Sequence, residues 1–182
     1  YRPLSLILFA IEVQFFGESP FVGHLFNGLY YGATTVLLYL VLLQLFRPQR
    51  GQVKAYFVAL AASLLFAVHP IHTEVVANVK GRDEILTLLG SLGALYLSLR
   101  AFHDKKPLYN IFAGLVFFLA LMAKENAIMF LFVAPLAYYF FTSAKTGEII
   151  KQALPFAIAA GAFLAIRFSV LGFGLSDPPM EM

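Results

Sequence analysis

HLFNGLYYGATTVLLYLVLLQLF, residues 24–46, runs directly into RPQRG, residues 47–51, and that junction decides the fold. The first string carries no Asp, Glu, Lys or Arg and is nearly unbroken apolar sequence after Tyr31. A helix that crosses a bilayer needs about 20 such residues. Two arginines, a proline and a glycine then stop it, as the end of a span at a polar surface requires.

The same alternation repeats outward along the chain. Further apolar runs cover about 53–68 (extendable to Ile71), 85–102, 108–123, 127–142 and 153–170. They are separated by short polar stretches such as His103-Asp104-Lys105-Lys106-Pro107, Lys124-Glu125-Asn126 and Lys145-Thr146-Gly147-Glu148. The pattern predicts an all-α, multi-pass transmembrane bundle of about six spans. Composition agrees: 60% of the 182 residues are hydrophobic and 13% charged, against roughly 25% charged in soluble domains. Mean hydropathy is +0.81. A soluble fold has no way to hide that much apolar surface.

The formal charge of +3 does not point to nucleic acid, because the basic residues fall in short loops between apolar runs. Lys and Arg sort into alternate loops. One set holds Arg47, Arg50, Lys54, Arg100, Lys105, Lys106, Lys145 and Lys151; the other holds Arg2, Lys80, Arg82 and Lys124, with most of the acids. The richer set is expected in the cytoplasm, which turns residues 69–84 toward a periplasm or lumen. Cysteine is absent, so disulfides, thiolate metal sites and a cysteine nucleophile are excluded. Residues 4–16 are apolar but carry Glu12 and Gln14, and about 13 residues are too few to span. Pro3 and Gly17 bracket a helix there, and the segment 1–20 reads as lying in the outer interface, with an ordinary loop as the alternative.

Most chemistry sits in His69-Pro70-Ile71-His72-Thr73-Glu74 through Lys80-Gly81-Arg82-Asp83-Glu84. Read as a helix from Pro70 onward, Glu74, Asn78 and Arg82 recur every four residues and share a face. Lys80 and Glu84 make a second pair at that spacing, with Asp83 on the opposite side. A carboxylate, an amide and a guanidinium on one stripe suit an anionic ligand, with a divalent cation beside it; the plain alternative is a solvated cap whose exposed ion pairs are worth no more than about 1 kcal/mol each. His69, His72 and Glu74 do not have the H-E-x-x-H spacing of a zinc protease; His69 caps the second span or meets a ligand phosphate. Lys124-Glu125 falls on the same side, as a site element or a loop. Arg2 is a phosphate clamp or a snorkelling cation. No Walker, dinucleotide or nucleophile-elbow motif occurs.

His69-Pro70-Ile71-His72-Thr73-Glu74, followed by Gly81-Arg82-Asp83-Glu84-Ile85-Leu86, resembles the signature of the TMTC-type transmembrane O-mannosyltransferases and their bacterial relatives. Tyr1-Arg2-Pro3-Leu4, His24-Leu25-Phe26-Asn27 and Lys124-Glu125 resemble further elements of that family, in the same order. The resemblance covers residues 1–126 and implies a GT-C glycosyltransferase fold. It implies transfer of a mannose-like sugar from a polyprenyl-phosphate carrier to a hydroxyl of a protein or glycan acceptor, at the outer face. The family's catalytic base lies in a first outer loop, which here would precede Tyr1, so residues 1–182 are expected to be inactive alone. Tetratricopeptide repeats are expected beyond them.

By the same resemblance Glu84 corresponds to the second-loop acid, with Asp83 able to substitute. Glu84 and Glu74 would position metal (Mg or Mn), acceptor or donor phosphate. Arg2, Arg82 and Lys124 would offset carrier-phosphate charge, His69 or His72 would hydrogen-bond it, and Lys80 and Glu125 complete the carrier-phosphate set. The short loops favour a bacterial inner membrane over the endoplasmic reticulum. The competing classes are a transporter or flippase of lipid-linked sugars, which would more often bear charges or broken helices at mid-membrane, and a non-catalytic assembly protein.

Overall fold

The computed structural model describes residues 2–46 and 52–171. Tyr1, the basic stop residues Arg47 and Arg50, and the exit at Gly172–Pro179 lie outside them. Among the described residues eight α-helices follow in order: α1 Pro3–Phe16, α2 Pro20–Phe46, α3 Gln52–Val68, α4 Thr73–Ala77, α5 Arg82–His103, α6 Leu108–Ala123, α7 Phe130–Phe141 and α8 Thr146–Leu171. Short 3-10 turns at Pro70–His72, Val79–Gly81 and Glu125–Met129 adjoin α4, α5 and α7. No strand occurs among the described residues.

All six apolar runs are helical. Among the described residues three helices are individually long and apolar enough to cross a bilayer: Pro20–Phe46, Val79–His103 and Thr146–Val170. Val53–Val68 with Pro70–Ala77 makes a fourth if a 49° bend is allowed within one span. Leu108–Ala123 and Glu125–Phe141 are shorter; at 1.5 Å per residue α6, with 16 residues, reaches about 24 Å of a roughly 30 Å hydrocarbon core. The protein is a multi-pass membrane bundle in which full-length helices support shorter ones.

Burial is arranged inside out, as lipid solvation demands. Over the spanning window α5 is 56% buried, whereas α2 and α8 are 17% and 22% buried. Helix α5 carries three buried hydroxyl side chains, Thr87, Ser91 and Ser98, while Ser5, Thr34 and Ser63 are buried on α1, α2 and α3. Phe57, Leu65, Ile111, Phe132 and Ile158 of its neighbours face outward. Helix α5 packs on α2 and α6, α6 on α8, and α3 on α2. The α5–α6 seam is close because Gly90 has no side chain: a Cβ there would lie 2.8 Å from Ala120 Cβ. Gly93 meets Val116 in the same seam, but Gly161 faces open space and plays no part in packing. At the heart of the bundle Phe117 and Phe156 are fully buried with rings 4.9 Å apart. The buried Tyr138 hydroxyl lies 2.8 Å from Ser98 Oγ, which donates onward to Asn110 Oδ1 at 3.3 Å.

Helix α1 is tied to the bundle rather than lying apart. Pro3 occupies its first turn and Gly17 closes it at φ 69°, donating its N–H to Val13 O. Only glycine takes that dihedral without strain. Packing against α6, α2 and α5 brings Glu12 and Arg2 to the polar end of the bundle.

Candidate functional site

The segment between α3 and α5 is not the continuous helix expected from Pro70 onward. It breaks at Asn78, whose backbone is extended at φ −92°, ψ 118°. The Asn78 carboxamide oxygen accepts the Lys80 N–H at 3.0 Å, a local bond that asparagine offers in place of the helical one. The stripe of Glu74, Asn78 and Arg82 at helical spacing is therefore not formed. Lys80 lies in the 3-10 turn outside α5, and Glu84 takes its cation from elsewhere, so the expected Lys80–Glu84 pair is absent too. Gly81 permits the fold-back: a Cβ there would lie 2.3 Å from the Val75 carbonyl oxygen.

Arg82 holds the floor of the site. It is fully buried. Nη1 donates to Glu12 Oε2 at 2.5 Å, Nε to Asn27 Oδ1 at 2.9 Å and Nη2 to the Gly23 carbonyl at 3.1 Å. The Phe9 ring lies 4.2 Å from its guanidinium carbon. Asn27, also fully buried, spends its other end on the loop, donating to Asn78 O at 3.1 Å and to Val76 O at 3.4 Å. This corrects the expectation that Arg82 faces a carrier phosphate: its anion is Glu12, and it locks α1, α2 and α5 together. Burial of a guanidinium demands such saturation, because an unpaired buried charge is very costly.

Above it the two adjacent acids splay apart. Asp83 accepts from Arg2, and Glu84 accepts from the ammonium of Lys124. Farther along the rim Arg167 lies 3.4 Å from Glu125. The Glu125 carboxylate is held below the usual range, chiefly by its own backbone N–H, with burial opposing and Arg167 assisting. Thus Arg2, Asp83, Glu84, Lys124 and Glu125 do gather at one end of the bundle, and the Arg100, Lys105, Lys145 and Lys151 group sits at the other. Glu74 and Lys80 are exposed. His69 caps the first 3-10 turn, its Nδ1 accepting the Ile71 N–H at 3.3 Å. His72 packs on Phe66 with rings 4.3 Å apart, and Tyr31 donates to the Phe66 carbonyl at 2.9 Å.

Beneath Glu84 lies a cavity of about 320 Å³ between α2, α5 and the start of α7. Tyr31, Phe66, Ile85, Leu88, Met129 and Phe130 give it apolar walls. Thr87 and Ser91 also line it, one and two turns below Glu84, and their buried hydroxyls have no hydrogen-bond partner. As a magnesium or manganese cradle the arrangement does not fit: among the described residues no three His, Asp or Glu side chains converge, and Glu84 is already matched by Lys124. The residues that sequence reasoning passed over are Glu12, Asn27, Thr87 and Ser91. A charged or amide side chain inside an apolar helix was the available signal for the first two.

Residues 3–172 match the family described as dolichyl-phosphate-mannose-protein mannosyltransferase. A protein O-mannosyl-transferase of Caenorhabditis elegans is 33% identical over 130 residues, 71% of this chain and 17% of that protein. Human protein O-mannosyl-transferase TMTC3 is 34% identical over 131 residues, 70% of this chain and 13% of the relative. Human TMTC4 is 34% identical over 145 residues, covering 70% and 19%. The chain spans less than a fifth of the length of each of these relatives. No solved structure matches it.

Proposed function

This chain belongs to the dolichyl-phosphate-mannose-protein mannosyltransferase family, and from that premise we propose that it forms the carrier-binding part of a membrane glycosyltransferase. The donor is a polyprenyl-phosphate sugar, mannose-like, and the acceptor is a hydroxyl, on a protein in the first instance. The observation that carries this reading is the cavity under Glu84, apolar in its walls, with the Glu84–Lys124 ion pair at its mouth and the adjacent Asp83 held by Arg2.

That combination matches the carrier's chemistry. A polyprenyl phosphate has its anion at the membrane surface and its chain inside the bilayer. The first isoprene units enter the cavity, the phosphate meets Lys124 and Arg2 at the rim, and the sugar projects toward residues 69–80. In the transfer the acceptor oxygen forms a bond to the anomeric carbon while the bond from that carbon to the phosphate oxygen breaks. The electron pair leaves on the phosphate, where fixed cations stabilise the charge that develops. Thr87 offers its unpartnered hydroxyl to a phosphate oxygen. Glu84 and Asp83 hold the two cations in place until the phosphate arrives. The acceptor's proton goes to a general base, and because the chain spans less than a fifth of its relatives' length, turnover is proposed for the full-length protein. The membrane is proposed to be a bacterial inner membrane, supported by the short loops, with the rim on the non-cytoplasmic side.

The test is an assay of the full-length protein in vesicles with radiolabelled polyprenyl-phosphate mannose. Sugar appearing on acceptor, with loss of transfer when Ser91→Phe fills the cavity, is the expected result. Label that crosses the bilayer still attached to its carrier, with none on acceptor, would identify a flippase instead.

A further inference from the structure

We infer that the bundle carries a second lipid site at the end opposite Glu84, specific for a glycerophospholipid with an anionic headgroup. Two cavities meet there, of about 510 and 590 Å³, and Pro107, Asn110 and Lys151 belong to the walls of both. The first has Lys105, Glu148 and Gln152 in its wall beside the apolar Ala101, Phe102 and Pro107. The second is a groove between α6 and α8 walled by Ile111, Leu115, Phe118, Leu154 and Ile158. Together they make a chamber with charged side chains in its wall that continues into an apolar trough, the shape of a headgroup followed by an acyl chain.

The groove owes its depth to small residues and a proline. Helices α6 and α8 close on each other where Gly114 faces Pro155: a Cβ on Gly114 would come within 3.2 Å of Pro155 Cβ and 3.3 Å of its carbonyl oxygen. Ile111, Leu115, Leu154 and Ile158 remain outward-facing, each more than half exposed. In a membrane bundle that surface meets acyl chains.

The chamber is built for an anion. Lys105 and Lys151 stand in its wall against a single acid, Glu148, whose Oε2 accepts the backbone N–H of Lys145 at 2.8 Å. Asp104 does not offset them, because it is engaged by Arg100 Nε at 2.7 Å. Lys105 has φ 52°, a left-handed conformation that turn chemistry usually assigns to glycine or asparagine. A strained position that keeps a long cationic side chain is a mark of use. Gln152 adds a buried amide oxygen with no hydrogen-bond partner, which a headgroup hydroxyl would satisfy. Basic pockets between membrane helices at a lysine-rich surface are a known way to hold anionic headgroups. The occupant is thus a lipid whose phosphate pairs with Lys105 and Lys151, whose headgroup hydroxyl meets Gln152, and one of whose chains fills the groove. The site shares no residue with the cavity under Glu84 and stands independently of the proposed reaction.

Native mass spectrometry of the full-length protein, released from nanodiscs of equal phosphatidylglycerol and phosphatidylcholine, tests it. Phosphatidylglycerol should be retained in preference. Each of Lys105→Gln and Lys151→Gln should lower that preference about five-fold, while Lys145→Gln, outside the chamber, should leave it unchanged. Ala162→Phe, which fills the groove, should reduce retention of both lipids. Adding inorganic phosphate should not displace the lipid. Equal retention of the two lipids, or a preference untouched by the Lys105/Lys151 double variant, would overturn the proposal. So would cross-linking from a cysteine at Ile158 to another segment of the same protein in place of lipid. Displacement by inorganic phosphate with no effect of Ala162→Phe would reduce the feature to an ion site and overturn it equally.

Discussion

Glu84 accepts the ammonium of Lys124, forty residues farther along the chain, so one ion pair joins the start of α5 to the end of α6 at the mouth of the cavity. The pair is part-buried, with Lys124 15% and Glu84 42% exposed, so its contribution to stability is modest. Its position over the cavity is its more informative property. Glu84→Gln and Lys124→Met are each expected to lower transfer at least ten-fold, about 1.4 kcal/mol at the barrier, with little change in thermal stability. The charge-reversed pair, Glu84→Lys with Lys124→Glu, re-forms the bridge but puts the cation on the wrong helix. Turnover of labelled donor should stay low in that double variant; recovery to the parental rate would mean that the bridge acts only as a strut.

Arg82 and Glu12 pose the opposite case. Their contact is buried, with side chains 1% and 12% exposed, and two further Arg82 donors depend on the same geometry. Removing one partner of a buried pair costs about 3–5 kcal/mol. Arg82→Met should lower the unfolding temperature in detergent markedly, and Glu12→Gln, which keeps an acceptor, should lower it less. Calorimetry or a thermal-shift assay of the two variants distinguishes this from a phosphate role. A raised KM for donor with an unchanged unfolding temperature would return Arg82 to the ligand.

The contrast marks how far sequence carries. The bundle is legible because lipid imposes a simple rule: runs of apolar residues ended by Arg47 to Gly51 or His103 to Pro107 must be helices. Alternation of loops puts Asp83, Glu84, Lys124 and Arg2 together, which is a statement about sides rather than distances. Arg82 is misjudged from sequence because its fate depends on α1 and α2. Nothing within residues 69–84 reveals that Glu12 and Asn27, 70 and 55 positions away, converge to saturate it. The break at Asn78 is hidden for a similar reason, since Val75, Val76 and Val79 continue a helical apolar pattern across it. Cavities such as the one lined by Thr87 and Ser91 belong to packing between helices and leave no local trace.

Gly81 allows a sharper test of the folded-back loop. Its φ of −67° is open to any residue, so the demand is for space and not for conformation. Gly81→Ala would drive a methyl into the Val75 carbonyl and displace Arg82 beside it, with a destabilisation of about 1–3 kcal/mol typical of overpacking. Gly28 and Gly32 have nothing within 4 Å of where a Cβ would stand, and alanine there should be neutral or gain up to about 1 kcal/mol of helix preference. Unfolding temperatures of the three variants should therefore separate in sign. An innocuous Gly81→Ala would refute the close approach.

The two polar ends make a topological prediction. Single cysteines at Glu74 and Lys105 should react with a membrane-impermeant maleimide from opposite sides of sealed vesicles, which is readily scored because residues 1–182 contain no native cysteine. Glu74 is expected on the non-cytoplasmic side. Labelling of both from one side would break the bundle's orientation, and labelling of Glu74 from the cytoplasm would remove the proposed reaction.

Glu125 supplies a pH dependence whose sign follows from its surroundings. Its folded-state carboxyl titrates below the ordinary glutamate value of about 4.3, because its own backbone N–H and then Arg167 favour the anion over the opposing effect of burial. A carboxylate stabilised in the folded state binds protons less readily there than in the unfolded chain. Its contribution is therefore complete above about pH 5 and drains away as pH falls through the folded value. Lowering pH from 7 to 5 should leave the α8 tether at Arg167 intact, and further acidification should loosen it. Glu125→Gln removes this increment at every pH, so the gap in unfolding temperature between parent and variant should be steady from pH 7 to 5 and narrow below about pH 4. Arg167→Gln should abolish only the part carried by Arg167, leaving the backbone hydrogen bond and a smaller gap with the same direction. A gap that widened on acidification would show that Glu125 is held protonated, opposite to the electrostatics of the rim.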